Sequence, residues 1–199
     1  MNISAAILAG GLSRRMGSDK ALLPFRANPM ARVIAKILRR VTGSEPFLVA
    51  KSPDKYATLG LPLVKDRMSR RCALAGVHAA INHVSSGRVL IVTCDQPFLS
   101  EPLLREMIRL SGDVVACEVD RKLQPFPVIF SADLADAVAG SFEYGILSVQ
   151  ENLFVGGFPT ILDERRVREI DPGLRTFRNV NDRAAYRQTG VSCRAVGLK

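Results

Sequence analysis

The sequence predicts an α/β fold: a doubly wound, mostly parallel sheet with helices on both faces. Three observations predict it. Short, almost wholly apolar runs recur at residues 3–9, 47–50, 63–64, 89–93 and 114–117, as strands covered on both sides require. Stretches of helical periodicity lie between them. The connections are long enough for the crossovers that join parallel strands.

The elements follow in order. Residues 3–9 form a buried strand that ends at Gly10-Gly11. Asn28 caps the next helix and Pro29 fits its first turn. Val33, Ile34, Ile37, Leu38 and Val41 give that helix an apolar face, with Lys36, Arg39 and Arg40 outside, and Gly43 ends it. Strands at 47–50 and 63–64 precede a helix marked by Leu74, Val77, His78 and Ile81. Residues 89–93 are the clearest buried strand. Ser100 caps a helix running to about 110, and 114–117 is a further strand. Beyond Asp120 the rhythm changes. Residues 123–130 contain Pro125 and Pro127, which suits an edge or irregular strand. Helices are expected at 132–139 and 146–152, a strand at 158–162 and a final helix at 182–188. The 199 residues fit one domain.

Composition narrows the class. No apolar run approaches the roughly 20 residues of a membrane span. The N-terminal run enters a Gly-Gly turn without a basic region before it, so a cytoplasmic protein without a membrane partner is expected. Cys72, Cys94, Cys117 and Cys193 form no C-x-x-C pair, and His78 and His83 stand five apart. These read as reduced thiols rather than a zinc site. The net charge is +9, and residues 165–199 hold nine basic residues against three acidic ones. Such a surface attracts anions. Aromatic residues make up only 6% and tryptophan is absent. No nucleic-acid-binding signature is present, so nucleic acid is not the expected partner.

Ligands of open α/β sheets sit outside the carboxyl ends of the strands, where the strand order switches. The residues there are Leu8-Ala9-Gly10-Gly11-Leu12-Ser13-Arg14-Arg15-Met16-Gly17-Ser18-Asp19-Lys20 after the first strand. Glycines let the backbone turn tightly and present N–H groups to an anion. Arg15 and Lys20 add positive charge. The pattern is neither Walker A nor G-x-G-x-x-G, but it suits a triphosphate. Thr93-Cys94-Asp95-Gln96-Pro97 follows the strongest strand. Magnesium on a triphosphate takes one or two protein carboxylates, and Asp95 is placed for that; Asp also serves as a turn or helix cap. Asp66, after the 63–64 strand, either accepts from a nucleobase or ribose or is a turn residue.

With these residues in view, the chain resembles the nucleotidyltransferases that activate sugars and cofactors, and within them the molybdenum cofactor guanylyltransferases. Residues 8–20 look like their signature loop, and Cys94-Asp95-Gln96-Pro97-Phe98 like their C-D-x-P segment. Leu74-Ala75-Gly76 resembles the end of G-P-L-A-G, Gln124-Pro125 an H/Q-P segment, and Phe177-Arg178-Asn179-Val180-Asn181-Asp182 a late F-x-N-V-N motif. The resemblance implies a nucleotide-diphospho-sugar transferase-like fold and transfer of GMP from GTP to molybdopterin with release of pyrophosphate. It implies that Leu8, Ala9, Gly10 and Gly11 contact base and phosphates through the backbone. Lys20 and Arg15 hold the triphosphate, Asp66 contacts the nucleotide, Asp95 holds Mg2+, and Asn179 and Asn181 face the pterin. Residues 1–120 would then bind nucleotide and 121–190 the acceptor. A monomer is expected, with docking of proteins that supply or receive the cofactor as a further option. Two departures stand out. Cys72-Ala73 replaces Gly-Pro before Leu-Ala-Gly, and Ala50-Lys51-Ser52 replaces a segment that often carries Asn. The competing readings are a cytidylyltransferase or other nucleotidyltransferase on the same fold, and a nucleotide-binding cofactor chaperone without turnover.

Overall fold

The structure is a computed structural model that describes residues 3–9, 19–25, 27–181 and 186. Its strands are β1 (Ile3–Leu8), β2 (Pro24–Phe25), β3 (Asn28–Pro29), β4 (Phe47–Ala50), β5 (Leu63–Lys65), β6 (Arg88–Thr93), β7 (Val114–Val119), β8 (Lys122–Ser131) and β9 (Thr160–Leu162). Its helices are α1 (Met30–Thr42), α2 (Ala73–Ile81), α3 (Glu101–Arg109), α4 (Ala135–Glu143), α5 (Val149–Asn152) and α6 (Glu164–Ile170).

Seven strands form one sheet in the order β5-β4-β1-β6-β8-β7-β9. β4 and β6 flank β1 in parallel, and β5 extends the sheet in the same sense. β8 runs antiparallel to both β6 and β7, and β9 pairs with β7 in parallel. The chain grows outward from β1 through β4 and β5, then returns to β6 on the other side of β1. That reversal opens a crevice at the carboxyl ends of β1, β4 and β6.

The alternating strand faces build two apolar layers. Ile3, Ala5, Ile7, Leu48, Leu90 and Val92 pack with α1, α3 and Val167 of α6 on one side. Ala6, Leu8, Phe47, Val49, Val89 and Ile91 pack with α2, Val138 of α4 and Val149 of α5 on the other. The doubly wound reading therefore holds. Among the described residues, no helix is long and apolar enough to cross a membrane.

Several expectations need correction. Asn28 does not cap α1; the cap position is Pro29, and Asn28–Pro29 pairs as a short strand with Pro24–Phe25. β8 is an inner strand, not an edge. Its ladder to β6 spans only Val128–Ser131, and its ladder to β7 skips from Val128 to Leu123. Pro125 and Pro127 fall in that gap, where no ladder hydrogen bond is demanded of them. The helix expected at 146–152 shrinks to α5, and Phe158 lies outside β9, 98% exposed. The helix at 132–139 starts as a 3₁₀ turn and continues as α4. The helix α6 was not expected, because Arg165-Arg166 and Arg168 mask its short apolar side. The final helix expected at 182–188 lies outside the described residues except for Tyr186.

Candidate functional site

The crevice gathers three segments distant in sequence. β1 ends at Leu8, whose carbonyl accepts the Cys94 N–H at 3.0 Å, while the Ala9 N–H donates to Val49 at 2.8 Å. The Ala9 amide is thus committed to the sheet. Gly10, Gly11 and Arg15 lie outside the described residues. Gly76 of α2 faces this strand end. A Cβ there would come 3.2 Å from both Leu8 methyl groups, so the Leu-Ala-Gly segment allows α2 to approach β1 closely.

The chain re-enters at Asp19, which caps a 3₁₀ turn at Lys20–Leu22 by accepting from the Ala21 N–H at 3.1 Å. Lys20 directs its ammonium across the crevice. Nζ lies 3.2 Å from Asp95 Oδ2 and donates to Asn181 Oδ1 at 2.8 Å. Lys20 and Asp95 retain only 14% and 19% of their side-chain exposure. The pair is therefore partly desolvated, and its attraction is screened less than at an open surface.

Asp95 stands just past β6, and its other oxygen is held as well. Thr93 Oγ1 donates to Asp95 Oδ1 at 2.6 Å. The buried Gln96 accepts from the Thr93 N–H at 3.2 Å and donates from Nε2 to the Phe126 carbonyl at 3.2 Å. The Val180 N–H donates to the Asp95 carbonyl at 2.8 Å. Buried Val180 thereby pins the late Asn-Val-Asn segment beside β6, with Asn179 and Asn181 both exposed. Asn181 and Lys20 meet directly, a contact 161 residues apart in sequence.

Asp66 follows β5 and is 7% exposed. Its N–H donates to the Ala50 carbonyl at 2.9 Å. Its Oδ1 receives Lys51 Nζ and the Met68 N–H, each at 3.0 Å, and Lys51 also donates to the Met68 carbonyl. Asp66 is thus an Asx-type turn residue and an ion-pair partner at once. It stands apart from the Lys20–Asp95 pair, on the β4–β5 side of the crevice.

Cys94, next to Asp95 in the chain, is buried in the core. Burial pushes its thiol pKa upward, and the Asp95 and Asp19 charges add to the effect. Cys72, Cys94 and Cys117 are free thiols, Cys94 and Cys117 buried; Cys193 lies outside the described residues. A magnesium ion shared with phosphates wants a hard carboxylate oxygen, and Asp95 presents one beside a displaceable ammonium. The residues present fit such an ion. Sequence reasoning missed Asp19, Lys51, Tyr56, Thr93 and Gln96 as site-shaping residues. Thr93 and Gln96 carried a signal as neighbours of Asp95, and Asp19 as the neighbour of Lys20.

Residues 5–152 match the MobA-like NTP transferase domain. The chain belongs to this nucleotidyltransferase family. Among relatives, the chain is 34% identical over 143 residues to a probable molybdenum cofactor guanylyltransferase of Pelotomaculum thermopropionicum, covering 71% of this chain and 69% of that one. It is 26% identical over 202 residues to the molybdenum cofactor guanylyltransferase of Desulfosudis oleivorans, covering 97% and 96%. In structure it is similar to molybdopterin-guanine dinucleotide biosynthesis protein A from Archaeoglobus fulgidus, with a TM-score of 0.77 at 18% identity over 94% of this chain and 96% of that one. That likeness speaks for the fold.

Proposed function

We propose that this MobA-like transferase joins the GMP part of GTP to molybdopterin and releases pyrophosphate. The observation that carries the reading is the Lys20 ammonium, which spans Asp95 at 3.2 Å and Asn181 at 2.8 Å. One cation there touches both the carboxylate beside β6 and the late Asn-Val-Asn segment. The names of the relatives support the choice of substrates.

In this reading the terminal phosphate oxygen of molybdopterin attacks the α-phosphorus of GTP. A bond forms between that oxygen and the α-phosphorus, and the bond to the β-phosphate oxygen breaks. Such chemistry is mainly alignment and charge stabilisation. Lys20 turns from its protein partners to the triphosphate, and Arg15 adds a second positive charge. Asp95 would hold Mg2+, which would neutralise charge on the phosphates. Leu8, Ala9, Gly10 and Gly11 supply backbone contacts, with Asp66 on the base or ribose side. Asn179 and Asn181 face the acceptor. An ionised phosphate attacks without a general base. Residues up to about 120 bind nucleotide and those from about 121 to 190 bind the acceptor, on one shared sheet. The protein acts as a cytoplasmic monomer and hands its product to cofactor-receiving proteins.

The test is incubation with Mg2+, molybdopterin and each of the four nucleoside triphosphates, reading pyrophosphate. GTP-dependent release is expected. Release with CTP and not GTP would convert the reading to cytidyl transfer. Binding without any release would make the chain a nucleotide-binding chaperone.

A further inference from the structure

One buried polar group beside the site has no task in that chemistry. Tyr56 lies in the 3₁₀ segment Pro53–Leu59 that follows β4, and it is 2% exposed. Its ring fills space in the core layer shared with α1, which a phenylalanine would also do. Its hydroxyl is different: a buried hydroxyl needs a partner, and a carboxylate is a strong one. Tyr56 Oη donates to Asp19 Oδ2 at 2.6 Å across 37 residues of sequence. Burial, then the Asp19 carboxylate, push the phenol pKa upward, so the group remains a donor throughout the working pH range.

Asp19 is therefore held at both oxygens. Oδ1 takes the Ala21 N–H and Oδ2 takes Tyr56. The residue between Asp19 and Ala21 is Lys20. Its flexible side chain must present one ammonium to two acceptors, which works only if its backbone is fixed. We propose that Tyr56 is a positioning residue for Lys20, acting through Asp19 to brace the turn that carries the phosphate-binding cation. This rests on the reading of Lys20 as a ligand of the triphosphate. The brace runs from the segment after β4 to the turn before β2, so two loops at the switch point are tied together by one hydrogen bond. Asp19, tied to its own turn and to Tyr56, then acts as a strut for Lys20.

The test uses steady-state kinetics of the full chain with GTP, molybdopterin and Mg2+, comparing Lys20→Met, Tyr56→Phe, Asp19→Asn and the Tyr56→Phe/Asp19→Asn double variant. Tyr56→Phe is expected to raise the GTP KM by about three- to tenfold, the scale of one net hydrogen bond. The molybdopterin KM should not move, and the thermal midpoint should fall by no more than a few degrees. Asp19→Asn should shift the GTP KM the same way, and the double variant no further than Asp19→Asn alone. An unchanged GTP KM in Tyr56→Phe, with Lys20→Met impaired, overturns the brace and leaves the triphosphate reading standing. An unimpaired Lys20→Met overturns that reading and the brace with it. A larger fall in midpoint with both KM values raised together makes Tyr56 a packing residue only, which also overturns it. A changed magnesium requirement in Asp19→Asn but not in Tyr56→Phe assigns Asp19 to the metal instead. Should Tyr56→Phe fail to fold, the GTP KM of Asp19→Asn decides.

Discussion

Asp95 is held by two neighbours with different consequences. Lys20 bonds one carboxylate oxygen from a flexible side chain, and in the proposed reaction it leaves for a phosphate; Thr93 bonds the other from within β6. Removing the carboxylate should be severe. Asp95→Asn is expected to lower kcat by about 100-fold or more, as losses of groups that stabilise developing charge do. Thr93→Val keeps the shape and removes only the donor. A drop of about tenfold in kcat/KM is expected, with the thermal midpoint little changed. Steady-state pyrophosphate release measures both. The residues of this centre were partly legible beforehand. Asp95 shows in sequence because it stands two residues past an apolar strand, and Lys20 because it closes a Gly- and Arg-bearing segment that follows another. Lys51 does not, because its pairing with Asp66 depends on β4 and β5 lying side by side in register. Tyr56 and Asp19 are equally silent, since nothing local marks a hydrogen bond across 37 residues. The separation of Asp66 from the Lys20–Asp95 pair is likewise a matter of sheet order.

Helices and strands carry the next set of constraints. Asp163 caps α6 by accepting from the Arg166 N–H at 2.9 Å. Asp163→Ala should lower stability by about 1 kcal/mol, readable in denaturant unfolding. α2 carries His78 against Phe142 of α4, ring centroids 6.3 Å apart. Burial holds His78 below its ordinary 6.5, with Asp66 and Asp136 opposing the shift. A depressed folded value means the unfolded chain takes up the proton first. The contribution of neutral His78 is present above about pH 6.5 and is lost as pH falls through the lower folded value. The thermal midpoint should therefore fall more between pH 7 and 5 in the native chain than in His78→Gln. Equal slopes would remove His78 from the acid response. At this level the sequence was informative wherever one period dominated. β4 was placed to the residue because four apolar residues stand between polar flanks. For β8 the prolines signal an edge or irregular strand; the strand is irregular and inner, with both prolines in a gap in the two ladders. α6 was hidden by arginines whose partners, Glu106, Glu164 and Glu169, lie on its own turns and on α3.

Across the molecule, the +9 charge meets two anionic substrates in the proposed reaction. Exposed Arg175 and Arg178 sit on the segment that Val180 pins beside Asp95. Long-range attraction of this kind raises encounter rates and is screened within about 10 Å at 0.1 M salt. The kcat/KM for molybdopterin should fall several-fold as ionic strength rises from about 0.01 to 0.2 M, with kcat steady. Arg175→Gln/Arg178→Gln should flatten that dependence and spare the GTP KM. An unchanged salt profile would leave the patch a solvated face. The doubly wound architecture was readable in outline because strand and helix periods alternate through residue 117. The insertion of reversed β8 between β6 and β7 was not, since strand order is decided by tertiary packing.

The most direct measurement is a side-by-side assay of the native chain and Asp95→Asn with Mg2+, molybdopterin and GTP, following pyrophosphate and the mass of the pterin product together. The expected result is one pyrophosphate released for each pterin that gains GMP in the native chain, and near-complete loss of both in Asp95→Asn. Pyrophosphate release that continues undiminished in Asp95→Asn, or a native chain that leaves molybdopterin unmodified, would contradict the assignment of this crevice as a nucleotidyl-transfer site.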